Sequence, residues 1–256
     1  GQLFFSRSEE IVEHTFDCLC KNDTPDIVLI SGDLTYNGER TSHDEMKAAL
    51  KKLQQKGKRV YVITATHDYT TPRMPTYGID KNDKYIEVES VNRTQLLKYY
   101  GDFGYNNAIA KHKSTMSYVA QLADGYRLFA LNDDYGDPDC GFSDELMNWV
   151  KTEANNAKRD GQYIIAMTHH PLVPPSPIYA AVAKGDMLNE YELRRNQLSD
   201  LGFDFVLTGH THMHNISYCK IGNKKFYDIS TAALTGFPPY YRQIVLNKEQ
   251  KKAEIK

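Results

Sequence analysis

Five residues could do chemistry together: Asp33 in Gly32-Asp33, His67 in Thr66-His67-Asp68, His169 in His169-His170-Pro171, and His210 and His212 in Gly209-His210-Thr211-His212. Each cluster closes a short apolar run, at residues 26–31 (DIVLIS), 59–64 (RVYVIT), 163–168 (YIIAMT) and 203–208 (FDFVLT). Runs of this kind suit strands buried on both faces. In open α/β sheets ligands bind outside the carboxyl ends of the strands, so all five residues are expected at one mouth. A single histidine after a strand is often only a satisfied loop residue; four such clusters at four strand ends point to a site. Imidazole with carboxylate suits zinc, iron, manganese and other first-row divalent ions. On extended backbone His210 and His212 would project the same way and grip two ions side by side. A carboxylate such as Asp33 can bridge such a pair. Ions about 3.5–4 Å apart stabilise both the attacking and the leaving oxygen of a phosphoryl displacement and lower the pKa of bound water.

Helical patterns separate these runs. Residues 8–21 carry apolar side chains at Ile11, Val12, Phe16, Leu19 and Cys20, with Glu9 and Glu10 in the first turn. Residues 42–56 read likewise, with Ser42 and Glu45 as the expected capping box. Residues 143–158 carry Trp149 on an apolar stripe. Alternating strands and helices argue for an α/β sandwich. Residues 117–133 alternate around Asp124-Gly125 and predict an antiparallel hairpin at a sheet edge. Residues 69–113 show no clear period and are expected to run over the surface, with a short helix near 94–100.

The chain has 256 residues, long enough for one domain with a sizeable core, and the expectation is a single domain over 1–256. With 41% hydrophobic and 25% charged residues and a net charge of −2, no global field favours nucleic acid or an anionic membrane. Any phosphate in a substrate must therefore be met by local charge, and no nucleic acid polymer is expected as a partner. No apolar run reaches the roughly 18 residues of a membrane span, and the default expectation for the compartment is the cytoplasm. Cys18, Cys20, Cys140 and Cys219 lack ribbon-type spacing and read as free thiols or core fillers. Asp133, Asp134, Asp137 and Asp139 lack the glycine and terminal glutamate of a calcium loop and read as a solvated turn. His170 reads as a pocket wall near substrate, His214 as a surface residue, and Asn37 as a loop residue reaching substrate. Tyr179 and residues 237–241 (FPPYY) are candidates for the pocket rim.

Asp33 in GDLT, residues 66–68 (THD), His169 in HHP and GHTH at 209–212 resemble, in order and spacing, the later blocks of the calcineurin-like metallophosphoesterase superfamily. The run SGDLTYNGERTSHDE is especially similar to bacterial members related to class III cyclic-nucleotide phosphodiesterases. The resemblance implies a four-layer α/β/β/α sandwich and hydrolysis of a phosphate ester by metal-activated water, with a small-molecule phosphoester as the expected partner and a phosphodiester such as a cyclic nucleotide as the leading substrate. It implies Asp33 as a bridging carboxylate, His169 and His210 on one metal with it, and His212 on the other. His67 would stand over the phosphate, and Asp68 would orient His67 by a hydrogen bond. The family opens with a strand ending in Asp-x-His, and no such motif precedes Ser8. The expectation is that residues 1–7 are a leftover of the following loop and that the first strand is missing. The family's GNH block reads Ala65-Thr66-His67 here, which puts the Thr66 hydroxyl where an asparagine amide would bind metal. The family site holds two divalent ions (Mn, Fe or Zn), and one or none is expected in this chain. The alternative implied is an impaired relative that binds a phosphate ligand or a protein partner.

Overall fold

The computed structural model describes residues 7–21, 25–71, 75–79, 82, 84–134, 138–247, 249 and 252–255. In chain order the elements are α1 (Ser8–Leu19), β1 (Ile27–Ser31), α2 (Arg40–Gln55), β2 (Arg59–Ile63), β3 (Tyr77–Ile79), β4 (Tyr85–Glu87) and α3 (Leu96–Tyr100). There follow β5 (Ala110–His112), β6 (Ser117–Ala123), β7 (Tyr126–Ala130), α4 (Asp144–Arg159), β8 (Tyr163–Met167), α5 (Pro177–Val182) and α6 (Tyr191–Asp200). The chain ends with β9 (Phe205–Thr208), β10 (Asn215–Ile221), β11 (Lys224–Ser230), β12 (Ile244–Asn247) and β13 (Lys252–Ile255). A seven-stranded sheet runs in the order β10-β11-β9-β8-β7-β6-β5, with β7, β8, β9 and β11 mutually parallel. Opposite it lie the parallel pair β1-β2 and the antiparallel pair β12-β13.

The pleat assigns side chains to three cores, because successive residues of a strand face opposite ways. Val60 and Val62 of β2 pack outward with Phe16, Leu50 and Leu53 from α1 and α2. Tyr61 and Ile63 of the same strand point inward, against Leu128, Ile165, Leu207 and Ile229 of the large sheet. On the far face of that sheet Phe129, Val206 and Phe203 pack against Leu146 and Val150 of α4 and Leu198 of α6. The result is helix, sheet, sheet, helix, the four-layer α/β/β/α arrangement. Each fully buried Leu or Phe contributes about 1.5–3 kcal/mol relative to exposure, so the middle core is what presses the two sheets, and their loops, together.

Three expectations need correction. The second helix starts at Arg40, after Glu39, and its start carries no side-chain cap. Tertiary contacts decide that start: Glu39 bridges Ser90, and the Arg40 N–H donates to the Glu89 carbonyl at 2.9 Å. Ser42 therefore lies inside the helix. The hairpin of β6 and β7 is not the sheet edge, because β5 pairs outside β6. The stretch 69–113 is not only surface: Val91, Leu96, Tyr99, Tyr100 and Phe103 are buried with α1 and α2. Their irregular spacing hid a segment that packs without a regular period. The helix expected from Ser143 is present, and the Ser143 hydroxyl caps it by accepting the Leu146 N–H at 3.1 Å. Residues 1–6 and Asp137 lie outside the described residues.

Candidate metal centre

β1 delivers its carboxylate through a close turn. Gly32 has φ +94°, and a Cβ there would stand 2.6 Å from the Ala65 Cβ and 3.0 Å from His169 Nδ1, so only glycine fits. Asp33, His210 and His212 have φ of +53°, +57° and +55°. Left-handed backbone at a residue with a Cβ costs about 1–3 kcal/mol and gathers at functional sites. The extended geometry expected for Gly209-His210-Thr211-His212 is thus replaced by two left-handed residues, which turn His210 and His212 to different surroundings.

Asp33 Oδ2 lies 3.1 Å from His169 Nε2, and His169 Nε2 lies 3.2 Å from His210 Nδ1. One donor atom from each of the three lies within 4.8 Å of the others. His169 Nδ1 is 2.7 Å from the Ser31 carbonyl, which can only accept, so Nδ1 carries the hydrogen and Nε2 faces the cluster. Asp33 Oδ1 accepts the His67 N–H at 3.1 Å, leaving Oδ2 for the cluster. A carboxylate oxygen and two imidazole nitrogens facing one another are stable together only around something positive. The electrostatics agree. Burial opposes charge on His169, but Asp33 outweighs it and lifts the imidazole to about 9. Burial likewise opposes ionisation of Asp33, and His169 and His67 overcome it and hold the carboxyl well below its usual range. Burial, with His170 and His169 beside it, pushes His210 down to about 3, so its ring is neutral with a lone pair to give. Three protein donors of this kind are the count of many catalytic zinc sites, and the residues present fit a divalent cation. His212 is exposed and outside the three-donor cluster, though it feels the charges of Asp33 and His169; burial comes first in lowering its pKa.

His67 stands beside the cluster on a turn, Thr66–Asp68, that follows β2. Its Nδ1 donates to the Tyr36 carbonyl at 2.6 Å, and its ring stacks on Tyr36 with centroids 5.9 Å apart. Orientation of His67 was expected from Asp68, and the geometry gives that task to Tyr36. The Asp68 carboxylate is engaged elsewhere, accepting the N–H groups of Ala65 and Thr35, both at 2.9 Å. Burial and the nearby Asp33 charge push it up to about 7. Thr66 opens the turn and is half-buried. Asn37 is buried in the loop after Asp33, its carbonyl accepting from the Thr76 hydroxyl. His170 packs its ring 4.0 Å from that of His210 and forms the wall behind it.

The strand-end loops are tied by further buried carboxylates that sequence reasoning missed or misread. Asp133 was expected in a solvated turn; it is fully buried and accepts from the Thr168 hydroxyl at 2.8 Å and the His170 N–H at 2.7 Å. Asp134 is also fully buried, and among the described residues neither of its oxygens has a hydrogen-bond partner. Burial and the adjacent Asp133 push its pKa well above the usual carboxylate range. Asp228 accepts the N–H groups of Leu172 and Val173 at 2.6 and 3.0 Å, and the Thr208 hydroxyl. The available signal was a threonine closing each run, Thr168 and Thr208, each needing an acceptor once buried. Tyr179 turns away to donate to Asp186 at 2.8 Å, whereas Phe237, Pro238 and Tyr240 line a recess next to His212.

A family model described as calcineurin-like phosphoesterase matches residues 5–214. Among solved structures, the chain is similar to a dimetal phosphatase from Danio rerio, with a TM-score of 0.60, 11% identity, and coverage of 90% of this chain and 79% of that one. It is also similar to a purple acid phosphatase from seeds of yellow lupin (Lupinus luteus), with a TM-score of 0.50, 17% identity, and coverage of 84% of this chain and 35% of that one. At these identities the likeness is one of fold. No curated protein sequence matches the chain at a significant level.

Proposed function

Because the chain belongs to the calcineurin-like phosphoesterase family, we propose that it hydrolyses a phosphate ester at the Asp33–His169–His210 centre. Phosphodiesters, cyclic nucleotides among them, are the proposed substrate class, on the strength of the resemblance carried by Asp33, His67 and Gly209-His210-Thr211-His212. The observation that supports the reading most is the convergence of three lone-pair donors from three strand ends, two of them on strained backbone. Asp33, His169 and His210 would hold one divalent ion, and a second is not expected in this chain. A bound ion of this kind supplies Lewis-acid polarisation of the phosphoryl oxygen and a water of lowered pKa.

The chain's own residues do the rest. The Ser31 carbonyl keeps the His169 lone pair on Nε2, toward the centre. The His67 N–H holds one oxygen of Asp33 in place. Since the Nδ1 hydrogen of His67 is donated to the Tyr36 carbonyl, Nε2 is left to meet the ester, and with the ring in its imidazolium form Nε2 would hand its proton to the leaving oxygen and keep the lone pair. General acid catalysis by a placed imidazole is worth about 10²–10⁴-fold. The test is hydrolysis of bis-(p-nitrophenyl) phosphate with added Mn²⁺, Fe²⁺ or Zn²⁺. Turnover is expected to require the ion, to vanish with Asp33→Ala, and to drop by about 10²–10⁴-fold in kcat with His67→Ala. Turnover that is indifferent to chelator and to Asp33→Ala would end this reading.

A further inference from the structure

We infer that Arg242 is an anion-holding residue at the mouth of the site, and that the substrate carries a second anionic group, a carboxylate or phosphate on one substituent of the ester. The inference rests on the phosphoesterase reading above and names the substrate class of that same site.

Arg242 stands just before β12, and a chain of hydrogen bonds fixes its place relative to the centre. Its Nη2 donates to the Ser230 carbonyl at 3.1 Å. Ser230 closes β11, and its hydroxyl donates to the Gly209 carbonyl at 3.3 Å. With that hydrogen engaged, the Ser230 oxygen accepts from the Thr211 hydroxyl at 3.2 Å. Gly209 and Thr211 flank His210, and the parallel register of Ser230 with Thr208 sets the ends of β11 and β9 side by side. Guanidinium and metal-binding imidazole thus share one frame at the strand ends, with Ser230 between them. The two positive places are offset, so one ester spans them with two anionic groups. Arg242 also lies outside residues 5–214, the part that the family model matches.

The fold supplies this guanidinium with no counter-charge. Arg40, Arg127, Arg194 and Arg195 are also withdrawn from solvent, and each meets an acid: Glu89 at 2.9 Å, Asp160 at 2.7 Å, Asp144 at 2.8 Å and Glu192 at 3.8 Å. Arg242 is half-buried, and among the described residues it meets none. Its hydrogen bond goes to a neutral carbonyl, and burial, with no acid to offset it, lowers its pKa. Charges taken out of water are ordinarily paired. An arginine held so without an acid, at the mouth of a site that takes in anions, is completed by the ligand. The fork's geometry limits what can bind. Nε is enclosed, and one hydrogen of Nη2 goes to Ser230. Nη1 and the second hydrogen of Nη2 form the open end, which matches two oxygens of one carboxylate or phosphate.

The test keeps the first anion and varies the second. Alkylphosphonates of graded chain length, ended by a methyl, a carboxylate or a second phosphonate, are titrated calorimetrically into the full chain with Mn²⁺ present. At the length that spans the two places, the wild type is expected to hold an anion-ended ligand about tenfold more tightly than its methyl-ended partner, the size of one charge-assisted contact. The tighter of the two anionic ends tells carboxylate from phosphate. The gain is expected to shrink as salt is raised. It is expected to vanish in Arg242→Gln, which keeps a donor for Ser230 and loses the charge, and to survive in part in Arg242→Lys. No preference at any length, or one that persists in Arg242→Gln, would overturn the inference. So would weaker binding of the methyl-ended phosphonate in Arg242→Gln, which would put the guanidinium on the phosphoryl group at the metal. Hydrolysis of bis-(p-nitrophenyl) phosphate with no preference for a second anion removes the Arg242 site and leaves the phosphoesterase reading intact. A preference without ester hydrolysis under any added ion supports the Arg242 site and ends the phosphoesterase reading. Binding of no phosphonate overturns both.

Discussion

His43 shows how far from the metal centre a single side chain can still set its geometry. It is fully buried on α2, with Nε2 at 3.0 Å from the Asp68 carbonyl and Nδ1 at 2.5 Å from the Tyr100 hydroxyl. A carbonyl only accepts, so Nε2 carries the hydrogen and Nδ1 accepts from Tyr100. Both nitrogens are satisfied in the neutral ring, and the turn bearing His67 is pinned from below. Burial outweighs the Asp68 carbonyl and lowers the pKa to about 4, against 6.5 for the free side chain. Between those values the unfolded chain binds a proton that the folded one refuses, so stability rises with pH across that window. The contribution is fully present above pH 6.5 and lost as pH falls toward 4, and it amounts to roughly 3 kcal/mol. Urea unfolding of the wild type and His43→Gln from pH 4 to 7 should therefore give curves that converge at the acid end. Parallel curves would mean that His43 is not held neutral.

The strand-end loops depend on carboxylates more than on their own local preferences. Asp228, at the end of β11, holds the loop after His169 and the strand that leads to His210 by three hydrogen bonds at once. Asp228→Asn keeps the shape but offers one acceptor oxygen, so at least one of the three donors is left buried without a partner. The expected loss is roughly 2–4 kcal/mol in denaturant unfolding, with metal affinity falling because His169 and His210 are no longer held at 3.2 Å. A variant as stable as the wild type would show the loop to be held by packing alone. This dependence also explains what could be read in advance. Strands 26–31, 59–64, 163–168 and 203–208 were legible because full burial writes continuous apolar runs, and their closing Asp and His residues were legible by position. The left-handed turn at His210 and His212 was not, since nothing in Gly-His-Thr-His distinguishes it from an extended run. Nor was the burial of Asp133 and Asp134, because an acid beneath a sheet and an acid in a solvated loop are spelled alike.

The three donors come from two different sheets, and this gives the cation a mechanical role. Asp33 follows β1 of the smaller pair, whereas His169 and His210 follow β8 and β9 of the seven-stranded sheet. Between the sheets lies the apolar core of Leu128, Ile165 and Leu207, which presses without direction. A cation shared by the three donors adds a directional tie at the open end of that core. Without it, the pairing of Asp33 with His169 depends on a proton, and His210 faces them with nothing to bind. A ligand that binds only the folded state stabilises it by RT ln(1 + [L]/Kd), about 2.7 kcal/mol at a hundredfold excess over Kd. For a chain of this length each kcal/mol moves Tm by about 2–4 °C. Saturating Mn²⁺ or Zn²⁺ should thus raise Tm by roughly 5–10 °C over chelator-treated protein in scanning calorimetry. His169→Ala removes the central donor and should abolish most of that rise, while His14→Ala, an exposed change on α1, should keep it. An equal rise in wild type and His169→Ala would place the stabilising ion elsewhere and deny the centre its tie between the sheets.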